Sequence, residues 1–501
     1  MSNKYIVDSF LWGVVAKVFD ALVKFISVPL LLSYFGKNEF GLIALASSIN
    51  AYLQLLDMGI NTGSIKHFSE WIAAKKYDLL DSTARTSITF YGIIGIINAL
   101  VLIIIALWGM SIFSITPDQA ETLRVLFFIL SIFAIVNWST SVYNQLLIAN
   151  HNIKYVRQLG LVKTVANLVV IYFTIWLKLN ITLYFFLFCI ANSFIVIPNF
   201  LKAKSSGLIS GFLPKKDWAN FQVVFKYSMA IIAMGIFQMS ATKLRPVVLG
   251  IFSNNVSEVL AEYRIMETIT IFIISIGGMF VTILLPVTSK LLTEKNQEKI
   301  EEFAYGNTLF TTIICVFLCM PFVVAGREIL HLYVGSEYVH LYNWLTIWVL
   351  TILFSLHNSP IASLVLSTGK TKMLIISSAI SCVISVVLNV MLCKYFEVGS
   401  AIIGYAVYIV IQMSFYYFYF NGAILKLNSW KVFKSFIYPA AMGILIAVGI
   451  ITIDINTGVI IIDIAAKLSL WATLYTAGLF TTKLIEISNV RRILNRKNVN
   501  N

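Results

Sequence analysis

The stretch GVVAKVFDALVK, residues 13–24, lies inside one long apolar run, SFLWGVVAKVFDALVKFISVPLLLSYFG, from Ser9 to Gly36. About 20 apolar residues suffice to cross a bilayer, so the run is long enough. Yet it carries Lys17, Asp20 and Lys24, and a charge near the middle of a membrane helix costs roughly 2.5–3.5 kcal/mol on insertion scales. The three are spaced i, i+3 and i+7, which places them on one helix face. Turned toward lipid, that face would cost roughly 8–10 kcal/mol, so it is expected to face protein or water. Asp20 can pair with either lysine, which leaves one net positive charge. Two readings stand open: a structural ion pair that locks the first helix to a neighbour, and a cationic wall for an anionic headgroup.

The rest of the chain fits a membrane protein. Its 501 residues are 59% hydrophobic and 12% charged, with mean hydropathy +0.86, whereas a soluble domain is nearer 25% charged. This composition predicts an all-α polytopic membrane protein with no sizeable soluble domain. Fourteen apolar runs of spanning length follow one another, from 10–34 and 40–62 through 222–250 and 259–288 to 433–453 and 459–482. Alternate loops are rich in Lys and Arg, among them Lys75, Lys76, Arg85, Lys202, Lys204, Lys215 and Lys216, while the opposite loops hold only Lys37, Arg124, Lys178, Arg327 and Lys394. The positive-inside rule then places both termini in the cytoplasm. Most of the formal charge of +14 is thus a topology signal, and no nucleic-acid partner is expected. The five cysteines fall in or beside apolar segments without metal-ligand spacing and read as small core residues. The N-terminus MSNKYIVDSF shows no cleavable-signal pattern. No outer loop is long, and there is no Gly-rich phosphate loop, no HExxH and no paired carboxylates in a loop. An enzyme is therefore not expected, nor is a cofactor.

An internal repeat is visible. FGKNEFGLIAL (35–45) and FSNNVSEVLAEYRI (252–265) occupy equivalent loops, and Glu39 and Glu258 lie 219 positions apart. IANHNIKY (148–155) and LSTGKTKM (366–373) do the same, with Lys154 and Lys372 at 218. Together they suggest two six-helix bundles, 1–203 and 218–424, around a central cavity, joined by a cytoplasmic linker (204–217) and followed by helices thirteen and fourteen with a basic tail (425–501). Six is even, so the repeat is parallel.

Further polar residues share faces within the expected spans. Asn50, Gln54 and Asp57 follow at i, i+4 and i+7, and Gln238, Thr242 and Arg245 repeat that spacing before Pro246, a kink candidate. Lys243 faces elsewhere on that helix but matches Lys24 at an offset of 219, so Arg245 by face and Lys243 by repeat stand side by side. Arg264 and Glu267 lie one turn apart, and His357 falls at mid-depth before Asn358, Ser359 and Pro360. His357 suits either a helix–helix hydrogen bond or a proton carrier. Asp463 and Lys467 read as a structural i, i+4 pair. The expected intramembrane cations are Lys17, Lys24, Lys243, Arg245 and Arg264, all on helices one, seven and eight. Surplus positive charge in a polar cavity suits a diphosphate, with Arg binding as a fork and Lys as a point charge.

LLDMGINTGSIKHFSE (55–70), FGKNEFGLIAL and LSTGKTKM resemble, in this order, motifs of the Wzx-type O-antigen and capsular repeat-unit flippases, polysaccharide-biosynthesis proteins of the MATE-like MOP superfamily. The resemblance covers nearly the whole chain. It implies a V-shaped cavity between the bundles and a bacterial inner-membrane location. It also implies an undecaprenyl-diphosphate-linked oligosaccharide as substrate, moved to the outer leaflet, with glycan polymerase and chain-length proteins as partners. Many members carry an Asp late in helix seven; this chain reads ATKLRPVVLG, with Arg245 near that place. The alternatives are a MATE-type cation or drug antiporter, which should favour intramembrane acids, and a peptidoglycan lipid-precursor flippase. No ATP motif is present, so the membrane potential is the expected driving force, with a coupled proton or sodium ion at Asp57 or His357 as a further option.

Overall fold

The computed structural model describes residues 3–484 except 295, 371, 454 and 456, and leaves some helical side chains undescribed, those of 3–11 and 55–59 among them. All regular structure among the described residues is helical. Helix α1 (Asn3–Leu53) holds the first expected span and most of the second. The boundary placed by sequence between them survives as a kink, because Gly36 takes φ 73° and ψ 170°. That positive φ strains any residue with a Cβ. Gln54 separates α1 from α2 (Leu55–Ala73), so the second span is divided at a polar residue. Next come α3 (Tyr77–Trp108), α4 (Pro117–Ala149), α5 (Ile153–Trp176), α6 (Ile181–Ser193) and α7 (Val196–Ser205). α4 starts on a capping box: the Gln119 N–H donates to Thr116 Oγ1, the Thr116 N–H donates to Gln119 Oε1, and Pro117 opens the helix.

α8 (Trp218–Lys243) is capped by Asp217, which accepts from the Asn220 N–H. The expected break at Pro246 is real: helix restarts as α9 (Arg245–Phe252) with Pro246 in its first turn. Then follow α10 (Val256–Thr293), α11 (Gln297–Val324), α12 (Gly326–Val334), α13 (Tyr342–Leu356), α14 (Ser359–Ser367), α15 (Lys372–Phe396), α16 (Val398–Phe415), α17 (Ser429–Ile451) and α18 (Ile460–Thr481). Among the described residues, ten helices are long and apolar enough to cross a membrane. The four expected spans outside that set, 10–34, 40–62, 222–250 and 259–288, are those that carry nearly all the polar candidates. Helix starts recur along the chain. Tyr77 and Gln297 are 220 positions apart, Pro117 and the 3₁₀ start at Ser336 219, Ile153 and Lys372 219, and Ile181 and Val398 217.

The chain packs as two compact units, Met1–Thr268 with Lys372–Tyr408, and Ile269–Thr371 with Ile409–Asn501. Lipid is as apolar as leucine, so close packing and hydrogen bonds, rather than removal from water, hold such helices together. In the first unit Leu80, Ala84 and Tyr91 of α3 meet Val142, Leu146 and Leu147 of α4, and Gln145 Nε2 donates to the Tyr91 hydroxyl at 2.8 Å. In the same unit the two repeat-related segments touch. Lys37 pairs with Glu258, Ser257 Oγ donates to Asn38 Oδ1 at 3.1 Å, and Gln119 Nε2 donates to Ser257 Oγ at 3.1 Å. A Cβ on Gly41 would come within 1.9 Å of the Ser257 carbonyl oxygen, so only glycine permits this approach.

In the second unit α11, α17 and α18 meet around Gly443, whose carbonyl accepts from Trp471 Nε1 at 3.1 Å. The expected Asp463–Lys467 pair is replaced. Asp463 accepts from the Thr457 N–H and hydroxyl at 2.7 and 2.8 Å, while Lys467 reaches Glu328 of α12 at 2.5 Å. Asp463 lies in the first turn of α18, where the preceding loop curls back within its reach.

Candidate functional site

Within the first unit, the end of α1, α4, α5, α6 and the first half of α10 enclose a cavity of about 350 Å³. Two cations line it, Lys163 from α5 and Arg264 from α10. Four amides join them: Asn50 and Gln54 from the α1–α2 junction, Asn137 from α4 and Asn192 from α6. Phe133, Phe185 and Phe188 supply an apolar side. No carboxylate is among the described lining residues.

The polar groups are held in place. Arg264 NH1 donates to Glu267 Oε2, one turn on, at 2.6 Å, and the arginine side chain keeps 35% exposure against 13% for its partner. The acid is therefore the more shielded member of the pair. Asn192 Nδ2 donates to the Phe188 carbonyl at 2.7 Å and to Asn167 Oδ1 at 3.3 Å, and Ser193 Oγ donates to Asn137 Oδ1 at 2.8 Å. Lys163 lies within electrostatic reach of both Asp20 and Lys24. Those two pair at 2.8 Å, and Thr164 Oγ donates to Asp20 Oδ1 at 3.3 Å. The opening triad is thus part ion pair, anchored to α5, and it lies next to the lysine that enters the cavity.

The other sequence candidates fall in different places. Lys17 is exposed and Lys243 half-buried. Arg245 is buried at 6% exposure, donates Nε to the Ala241 carbonyl at 3.1 Å, and stacks its guanidinium 4.3 Å from the Tyr405 ring centroid. Gln238 is exposed, and Thr242 donates to the Met239 carbonyl of its own helix. The Asp57 side chain lies outside the described residues. His357, in the second unit, is fully buried; its Nε2 meets the Tyr417 hydroxyl at 2.7 Å, and its ring stacks on Phe436 at 4.0 Å. This is the helix–helix tie that the sequence left open beside a proton carrier.

Lys163 corrects the expectation that all intramembrane cations belong to helices one, seven and eight. The nearest charge on α5 is Arg157, six residues earlier and on another face, so no same-face charge marked it. Asn167 follows it at i+4, and an isolated lysine in a span is itself a signal of a protein- or water-facing position. Asn137 and Asn192 gave even less: an amide in an apolar helix serves helix packing as readily as a cavity.

No known family model matches the chain, and no curated protein matches it. Solved structures do. One, described as lipid II flippase MurJ in an inward closed conformation, has a TM-score of 0.71 at 11% identity and covers 94% of this chain and 98% of its own. Another, an inward-facing multidrug resistance MATE family transporter of the MOP superfamily, has 0.61 at 14% identity, covering 86% and 95%. A third, MATE in complex with MaD3S, has 0.52 at 15% identity, covering 89% and 96%. The chain thus has the fold of the MOP-superfamily transporters. The structures it resembles are transporters and a flippase rather than enzymes.

Proposed function

We propose that the chain is a flippase for a lipid-linked oligosaccharide, moving an undecaprenyl-diphosphate-linked glycan repeat unit from the cytoplasmic to the outer leaflet by alternating access. The observation that carries this is a cavity wall with two cations, four amides and no carboxylate among its described residues. A diphosphate needs positive charge, best from an arginine fork with a lysine nearby. Amides suit sugar hydroxyls, since each offers both donors and an acceptor. The prenyl chain needs no tunnel, because it can stay in lipid. A cationic drug would be repelled by the same wall, which counts against the antiporter alternative. A peptidoglycan lipid-precursor flippase is the second reading, favoured by the likeness to a structure described as a lipid II flippase.

Sequence spacing and loop charge support the bundle division and the orientation, and the family resemblance supports the location and the partners. The chain forms two six-helix bundles, 1–203 and 218–424; the recurrence of helix starts at offsets of 217 to 220 supports this. The protein lies in a bacterial inner membrane with both termini in the cytoplasm, and works beside glycan polymerase and chain-length proteins. Two negative charges moving outward through 100 mV gain roughly 4–5 kcal/mol, so the membrane potential drives transport, with H⁺ or Na⁺ coupling at Asp57 as a subsidiary element.

Reconstituted vesicles test the main reading. A fluorescent undecaprenyl-diphosphate oligosaccharide should change leaflets with the wild-type protein and fail to do so with Arg264→Ala. Movement of lipid II in its place would select the second reading. Movement of neither, with uptake of an organic cation, would overturn both.

A further inference from the structure

The linker 204–217 is not a free tether. Asp81 of α3 accepts from the Ser210 N–H at 2.7 Å and from Lys215 Nζ at 3.0 Å, and Arg85 Nε donates to the Leu213 carbonyl at 2.7 Å. Thr89 Oγ donates to the Lys215 carbonyl at 2.6 Å, Ser82 Oγ to Asp217 Oδ2 at 2.7 Å, and the Asp217 N–H to Thr86 Oγ at 2.9 Å. One face of α3 thus holds the linker along its length. Held this way, it exposes Phe212 at 64% and Leu213 at 59%, just before Lys215, Lys216 and the exposed ring of Trp218. A rigid loop gains nothing by showing such side chains to water.

Beside it is an aromatic pocket of about 400 Å³, lined by Phe90 of α3 and by Trp218, Phe221 and Phe225 of α8. The rings support one another: Phe90 lies 5.1 Å from Phe221, 5.6 Å from Phe225 and 6.4 Å from Trp218. Its depth follows from the length of α3. At ~1.5 Å per residue its 32 residues span about 48 Å, well beyond a hydrocarbon core of about 30 Å. The excess is at the start, where Asp78, Asp81 and Arg85 lie; the uncharged stretch that runs to Trp108 begins near Phe90. Phe90 and Trp218 therefore mark the level of the bilayer surface, where tryptophan is favoured. Lys216 is exposed, has no carboxylate partner among the described residues, and comes two residues before Trp218.

We propose that this edge of α3 and α8 binds an anionic phospholipid, with an acyl chain in the pocket around Phe90 and Trp218 and the phosphate on Lys216. The site is separate from the cavity and holds whatever the cavity carries. An apolar pocket with an exposed lysine two residues before its tryptophan, on a backbone held by its neighbours, selects by charge as well as by hydrophobicity. Lys215 shares its charge with Asp81, so Lys216 contributes most of the selectivity.

The test uses the full-length protein in phosphatidylcholine vesicles containing a trace of phosphatidylglycerol with a diazirine in one acyl chain, or the same probe with a choline head. After illumination, labelled peptides are mapped by mass spectrometry. The glycerol probe should label the segments bearing Phe90 and Trp218–Phe225 about fivefold more than the choline probe, the factor expected of one lysine near a headgroup. Lys216→Gln should bring the ratio close to one, and Trp218→Ala should lower labelling by both probes. Equal labelling of the wild type by the two probes would reduce the pocket to ordinary lipid contact and overturn the proposal. So would preferential glycerol-probe labelling confined to other segments. The wild-type comparison stands even where a variant fails to accumulate.

Discussion

Arg264 and Arg245 are the same residue type, 19 positions apart in one compact unit, and they have opposite surroundings. Arg264 turns a half-open guanidinium into the cavity, with the more shielded Glu267 as its partner. Arg245 is shut in at 6% exposure, over the ring of Tyr405 and against the backbone of its own helix. A buried charge carries a large desolvation cost that its neighbours must offset, and a cation–π contact is one way to do so. The difference shows that a charge inside a span does not make a site. What decides is whether the surrounding helices leave space in front of it. His357 repeats the lesson in the other unit, where Phe354, Phe436 and Tyr417 fill its surroundings.

The largest effect should come from the arginine that faces space. Arg264→Ala is expected to cut flipping in vesicles by about 100-fold or more, the loss of a charge-assisted fork on phosphate, with unchanged protein in the membrane. Arg264→Lys should recover part of it. Normal transport by the alanine variant would break the contrast at once. Arg245→Ala should behave in the reverse manner: transport per folded molecule within about threefold of wild type, and stability lower by about 2 kcal/mol, measured by thermal melting in detergent. Lys163→Gln should lower transport by about tenfold, about 1.4 kcal/mol of lost charge interaction, and raise the substrate concentration needed for half-maximal rate. His357→Phe keeps the ring stack and loses the Tyr417 hydrogen bond. It should cost about 1 kcal/mol of stability and leave the pH profile of transport unchanged. A shifted profile would return His357 to the proton carriers.

The smallest effect is at the linker. Hydrogen bonds from Asn220 and from Ser82 hold the Asp217 carboxyl below the usual carboxylate range. A depressed folded pKa means that the stabilisation is present above the unfolded value of about 3.9 and fades as pH falls below it. Proteolysis of the segment 204–217 should therefore quicken below about pH 4 in the wild type. Asp217→Asn should shrink that step and leave the part that Asp81 contributes through Ser210 and Lys215.

These contrasts also show what a sequence makes legible. Hydrophobic length and the distribution of Lys and Arg are one-dimensional properties, so the helical membrane fold could be read directly, as could the break at Pro246 from its proline; the loop expected near Gly36 became a kink within one helix. Same-face spacing found Asp20 with a lysine and Arg264 with Glu267, because both members lie on one helix, and Asn50 with Gln54, which sit on either side of the α1–α2 junction. Lys163 and Asn192 escaped because their companions belong to other helices. The burial of Arg245 escaped because Tyr405 comes from α16, 160 residues away. Lys467 was misassigned for a related reason: a sequence neighbour looked sufficient, and Glu328 was not in view.

The meeting of Asn38 with Ser257 has a consequence for ancestry. At a two-fold dimer interface, residues near the axis touch their own copies in the partner. Asn38 and Ser257 are 219 positions apart, the offset that also relates Lys24 to Lys243, and Gly41 lets the two backbones come within touching distance there. The contact has the form of a subunit interface kept inside a single polypeptide.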